Sequence, residues 1–117
     1  MANYISQDAW KCAMEIVKEA YQITKMFPKD ELFGMTLQIR RAAILVPSNI
    51  AEGIGRNYRR ETTKSLRFAR GYLYELETLF TIAATVDLID EDTVQRLSLR
   101  IEKCLHLING LIRYFRN

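Results

Sequence analysis

The segment 38-QIRRAAILVPSNIAEG-53 carries two arginines, a proline, an asparagine and a glutamate inside an otherwise apolar run. Its apolar residues recur at steps of three and four, the period of a helix and not the alternation of a strand. The same steps gather the polar residues, so that Gln38, Arg41, Leu45, Asn49 and Glu52 form one line beside Arg40, Ile44, Pro47 and Ala51. Pro47 removes the hydrogen bond to the Ala43 carbonyl and is expected to bend the helix there, with Ser48 and Asn49 placed to satisfy carbonyls nearby. The polar line is expected to be an internal network. In it Glu52 receives a charge-assisted bond from an arginine and Asn49 ties this helix to a neighbour.

Working outward, Thr36 suits the N-cap of this second helix, and Gly53 the left-handed residue just past its end at Glu52. Before it, a first helix is expected from Asp8 to Met26 with Trp10, Met14, Val17, Tyr21 and Thr24 on its apolar face, stopped by Phe27-Pro28. A short turn follows over Lys29 to Phe33, closed by Gly34. A polar loop, Arg56 to Arg59, leads into a third helix from Arg60 to Val86 with two apolar stripes. Leu66, Ala69, Leu73, Leu76, Phe80 and Ala83 make the first; Phe68, Tyr72, Leu79 and Ile82 make the second, about 100° away. One core needs one stripe, so the second points to a central helix or to a face shared with another subunit. Gly71, in mid helix, points to close helix approach, and Glu75 is a second candidate partner for Arg41. Asp90 opens a fourth helix with an acidic first turn, Glu91 and Asp92, and its apolar face runs from Val94 to Phe115.

Four helices with short connections predict an all-α fold, an antiparallel up-down-up-down four-helix bundle, with residues 1–117 as one domain. The chain shows no signal-peptide pattern and no apolar run of membrane-spanning length, which places it in the cytoplasm. Cys12 and Cys104 lack the close spacing of zinc or redox motifs and read as reduced packing residues.

Catalysis is poorly provided for. The single histidine, His106, stands four residues after Glu102, without a nucleophile, a phosphate-binding glycine loop or the Glu-x-x-His pairs of di-iron bundles. No catalytic residue, cofactor or metal is expected. Charge is more informative: the formal net charge is +3, but the 56–70 window holds Arg56, Arg59, Arg60, Lys64, Arg67 and Arg70 against Glu61 alone. With the third helix starting near Arg60, Arg60, Lys64, Arg67 and Gly71 share a face. Cations at a helix N-terminus oppose the macrodipole, so they call for compensation by acids or by a phosphate ligand. One reading is a surface for the RNA or DNA backbone, with Tyr58 and Tyr74 as the nearby candidates for stacking. The other is a scaffold, in which these cations meet carboxylates and the second apolar stripe docks a protein partner.

The run FPKDELFGMTLQIRRAAILVPSNIAEGIGR over 27–56, followed by RFARGYLYELETLF over 67–80, resembles the bacterial four-helix-bundle family of 23S ribosomal RNA intervening-sequence proteins. The pattern F-P-x-x-E-x-[FY]-G-[LM] falls on Phe27 to Met35, Q-x-R-R-A on Gln38 to Ala42, N-I-A-E-G on Asn49 to Gly53, and A-x-G-x-L-x-E-L on Ala69 to Leu76. Leu45 and Tyr72 depart from it, standing where relatives often carry serine. The resemblance implies an antiparallel four-helix bundle. It is similar to the accessory proteins of diversity-generating retroelements, whose subunits form a five-membered ring with a basic surface that engages nucleic acid and a reverse transcriptase. A homo-oligomer, and a pentamer in particular, is what that resemblance implies; it supplies no biochemical activity.

Overall fold

The computed structural model describes residues 7–56 and 58–116. Four α-helices form a bundle: α1 (Asp8–Thr24), α2 (Leu37–Gly55), α3 (Arg59–Thr85) and α4 (Glu91–Arg116). No strand occurs among the described residues. Each helix packs on the next in sequence, and α4 also packs on α1. The long dimension, 44 Å, is close to the roughly 40 Å that a helix of the length of α3 spans.

The core follows the expected stripes on α3 and α4. Leu66, Ala69, Leu73, Leu76, Phe80 and Ala83 are buried, facing Leu97, Ile101, Cys104, Ile108 and Ile112. On α1 the inward line is Ala9, Ala13, Ile16, Ala20 and Thr24, one position away from most of the large residues expected there. Small alanines let α1 approach its neighbours closely, while Trp10, Val17 and Tyr21 are only partly buried and Met14 is exposed. The second stripe of α3 lies at the surface of the chain: Phe68 and Ile82 are exposed, and Tyr72 and Leu79 half-buried.

Side-chain bonds settle the helix ends. The Thr24 hydroxyl donates to the Ala20 carbonyl at 2.7 Å and accepts from Arg40 Nε at 2.8 Å. The Arg40 guanidinium also lies 4.4 Å from the Tyr21 ring centroid, so Arg40 clasps the start of α2 to the end of α1. A 3₁₀ turn (Lys29–Glu31) opens the connection, Gly34 breaks the helical path with a kink (φ −106°, ψ −112°), and the backbone is helical again at Thr36 (φ −58°, ψ −51°), just before α2. Thr36 is therefore helical and makes no side-chain cap bond; the acceptor at this entry is Glu31, which takes the Met35 N–H at 3.3 Å.

Gly53 is not a left-handed terminus: no glycine among the described residues has positive φ, and α2 continues to Gly55. Its hydrogen serves the approach of α3, since a Cβ there would fall 3.0 Å from the Ser65 Cβ and 3.1 Å from the Thr62 carbonyl oxygen. Gly71 shows the reverse, because nothing lies within 4 Å of the Cβ it lacks. The close helix approach expected at Gly71 is made by Gly53 instead. The left-handed position falls on Asp87 (φ 64°), where Leu88 N–H bonds the Ala83 carbonyl at 2.8 Å and Asp87 N–H the Ala84 carbonyl at 3.1 Å. That pair of bonds is a Schellman stop to α3. Asp90 caps α4 as expected, accepting the Thr93 N–H at 2.8 Å. The hydroxyl and N–H of Thr93 hold its carboxyl below the usual carboxylate range.

Candidate nucleic-acid interface

α3 begins where α2 ends, and the packing there fixes which way its cations point. Thr62 Oγ1 donates to the Gly53 carbonyl at 2.7 Å, and Thr62, Ser65 and Leu66 are buried. With those positions inward, a turn of about 100° per residue sends Arg60, Lys64 and Arg67 outward along one side of the helix. All three are exposed. Among the described residues, no ion pair or hydrogen bond engages their side chains.

The other three basic residues of the window have partners. Arg56, which follows α2, donates to Glu52 at 2.7 Å and lies 4.0 Å from Glu61. Both contacts are solvent-exposed and of the kind worth about 0–1 kcal/mol. Arg59 donates to the Tyr114 carbonyl at 3.0 Å and faces the Tyr114 and Phe115 rings at 5.8 and 6.0 Å. Arg70 donates to Asn109 Oδ1 at 3.0 Å. Arg59 and Arg70 thereby fasten α3 to α4. Within the chain, Glu19 binds Arg96 and Arg100 at 2.8 and 2.6 Å.

The contact of Arg59 with Tyr114 adds residues that sequence reading did not assign to this surface. It brings the last turns of α4, with exposed Arg113, Tyr114 and Arg116, to the end that carries Arg56, Tyr58 and Arg59. The Tyr114 and Phe115 rings meet edge to face at 4.9 Å, and Tyr58 is also exposed. A basic run over 113–116 gives no hint of this by itself; only the register between α3 and α4 joins it to the 56–70 window. Tyr74 is exposed farther along the outer side of α3.

The polar line of α2 takes a different form from a buried network. Asn49 Nδ2 donates to the Leu45 carbonyl of its own helix at 2.7 Å, and the Ser48 hydroxyl to the Ile44 carbonyl at 2.8 Å. These are the carbonyls just after Ala43, where Pro47 interrupts the ladder. Glu52 pairs with Arg56. Gln38, Arg41, Glu52 and Glu75 are all exposed on the chain, and no hydrogen bond or ion pair joins Arg41 to Glu75 among the described residues.

His106 is exposed, and no group of three His, Cys, Asp or Glu side chains among the described residues could hold a metal ion. No helix among them is long and apolar enough to cross a membrane. No curated protein matches the chain. Residues 6–110 match the profile described as 23S rRNA-intervening sequence protein, and the chain belongs to that family.

Proposed function

We propose that the protein is a non-enzymatic, cytoplasmic homo-oligomer that binds the RNA or DNA backbone through the outer side of α3 and the adjoining bundle end. The observation that carries this reading is the row of three exposed cations, Arg60, Lys64 and Arg67, whose side chains have no ion-pair or hydrogen-bond partner among the described residues. Arg60 also stands in the first turn of α3, where the helix dipole disfavours a cation by about 0.3–1 kcal/mol. Phosphate is the compensation such a row can accept. Gly71 supports the same reading: it lies on that side of the helix with open space before it, leaving bare backbone where a ligand can come close. Arg56, Arg59, Arg113 and Arg116 extend the charge, and Tyr58 and Tyr114 offer exposed rings for unpaired bases.

An antiparallel up-down-up-down path is supported by the pairing of successive helices and by Arg59 at the start of α3 bonding Tyr114 near the end of α4. Assembly with copies of itself is supported by the exposed second stripe, Phe68 and Ile82; five subunits are what the family resemblance implies. The same stripe favours a second reading, a scaffold whose oligomer docks a protein partner and takes up no nucleic acid. Mass-resolved light scattering, with and without a structured ribosomal RNA fragment, separates the two. An oligomer that gains RNA mass at low salt and sheds it as salt rises supports backbone binding. An oligomer that never takes up RNA favours the scaffold.

A further inference from the structure

Where α2 ends, α3 begins and α4 finishes, the bundle end holds a cavity of about 410 Å³ lined by Ile54, Arg56, Tyr58, Arg59, Tyr114 and Phe115. Small-ligand sites span about 300–1,000 Å³, so it has room for one aromatic heterocycle and its substituents. Among the described residues, none that lines it carries a carboxylate. Three aromatic residues and two guanidinium groups suit a ligand with a flat π face and a negative charge, which is the chemistry of a nucleotide. We propose that this cavity takes a single unpaired nucleotide, its base against the Tyr58 and Tyr114 rings and its phosphate on Arg59, while the neighbouring phosphates of the strand follow Arg60, Lys64 and Arg67. The inference rests on the backbone-binding reading and narrows it. The favoured target is a strand end or a looped-out base beside a backbone contact, and not a uniform duplex.

Arg59 is held in place for this role. Its Nη1 donates to the Tyr114 carbonyl at 3.0 Å, and its guanidinium lies 5.8 and 6.0 Å from the Tyr114 and Phe115 ring centroids. That bond uses one of five N–H donors, which leaves others for a phosphate. Arg56 is shared with Glu52 through a pair exposed on both sides, weak enough to be exchanged for a phosphate oxygen. Thr62 also lines the cavity, but its hydroxyl is committed to the Gly53 carbonyl at 2.7 Å. Gln7 is the remaining lining residue, and its amide can both donate to and accept from a base edge. Tyr58 and Tyr114 are 60% and 68% exposed, so a base can cover their rings without disturbing the core.

The row on α3 leads to the cavity. Arg60 follows Arg59 directly in the first turn of α3, and from Arg60 to Arg67 the helix rises about 10 Å. Three nucleotide steps at 3.4 Å cover about the same length. A strand whose phosphates track the row therefore brings its next nucleotide to the bundle end. Within a duplex, that nucleotide's base is stacked and faces its complement; an unpaired base is free to turn onto the rings.

The test measures affinity by fluorescence anisotropy at low salt, using the full chain. The probes are a blunt RNA hairpin and the same hairpin with a two-nucleotide overhang, at its 5′ or its 3′ end, whose outermost base is 2-aminopurine; DNA versions run alongside. At least one overhung probe should bind about 5- to 100-fold tighter than its blunt parent, which is the worth of one base stacked on an aromatic side chain. Its 2-aminopurine emission should be quenched on binding. Combining Tyr58→Leu with Tyr114→Leu removes the rings and keeps the main-chain carbonyl that holds Arg59. In that variant the ratio of overhung to blunt affinity should fall toward one and the quenching should disappear. Circular dichroism confirms that the variant is folded, and the wild-type ratio decides the question without it. Equal wild-type affinity for blunt and overhung probes, without quenching, would overturn the proposal and leave the backbone reading standing. A preference that survives in the variant would overturn it by placing the base elsewhere. Binding of none of the probes would overturn both.

Discussion

Placing an alanine at Gly53 tests whether the junction of α2 and α3 is as tight as its geometry implies. The added Cβ would lie 3.0 Å from the Ser65 Cβ and 3.1 Å from the Thr62 carbonyl oxygen, where relaxed contacts begin near about 3.5 Å. One of those atoms is backbone, so relief requires the helices to part by about half an ångström. Overpacking of this kind costs about 1–3 kcal/mol. Separation also weakens the 2.7 Å bond from Thr62 to the Gly53 carbonyl, a further ~1 kcal/mol. Against this stands the helix propensity of alanine, at most ~1 kcal/mol so near the end of α2. The net loss is about 2 kcal/mol. For 117 residues the unfolding entropy is about 0.25 kcal/mol/K, so Tm should fall by about 8 °C. Gly71→Ala is the matched comparison, since its Cβ meets nothing within 4 Å and alanine should gain about 1 kcal/mol, or about 4 °C. Thermal unfolding followed by circular dichroism at one fixed protein concentration reads both. Gly53→Ala melting at or above the wild type would refute the packing argument, and a drop for Gly71→Ala would mean that another surface closes on that glycine.

Three further outcomes are expected. Glu52→Ala should cost no more than about 0.5 kcal/mol, within about 2 °C in Tm, because its pair with Arg56 is exposed on both sides; a much larger loss would restore a buried role for the α2 polar line. Phe80→Ala should cost about 3–5 kcal/mol by chemical denaturation, because the ring is fully buried in the core. The Asp90 carboxyl is held below its ordinary value in the folded chain. Its contribution to stability is thus present above the unfolded pKa of about 3.9 and lost as pH falls through the lower folded value. Asp90→Asn keeps an acceptor for Thr93 and should flatten that part of a Tm-against-pH profile; an unchanged acid limb would show that the Asp90 cap does not contribute to it.

Much of the bundle is visible in residue pattern because the responsible forces are local or periodic. The a/d stripe of α3, the Asp90 cap and the stop at Phe27-Pro28 depend on spacing, a short acceptor and a missing N–H. The line of alanines on α1 escaped because large apolar residues carry more weight in a pattern, whereas a close helix contact selects small ones. Gly53 took the role expected of Gly71 for a similar reason: a glycine near a helix end looks like a terminus, and only the neighbouring Thr62 and Ser65 reveal a contact. Asp87 is a left-handed stop without the usual glycine, set by the two bonds back to Ala83 and Ala84.

The candidate surface divides in the same way. Its charge is plain in composition, but the separation of Arg60, Lys64 and Arg67 from the anchored Arg59 and Arg70 depends on where α4 lies. So does the arrival of Arg113, Tyr114 and Arg116 at the same end. The polar line on α2 was legible as a line. Its exposure was not, because Leu45, Asn49 and Glu52 sit at the border where α2 turns from the core to solvent.

The most direct measurement of the central claim is the salt dependence of RNA affinity, by fluorescence anisotropy, for the wild type and for Arg60→Gln, Lys64→Gln, Arg67→Gln combined. Three phosphate contacts per chain on a single strand contribute a slope of about −2 in log K against log salt, which is about 20-fold in affinity between about 50 and 200 mM. The wild type should bind with at least that slope, and the triple variant should lose it while melting as the wild type does. Equal slopes for the two proteins, or no binding by the wild type at low salt, would contradict the assignment of this side of α3 to nucleic acid.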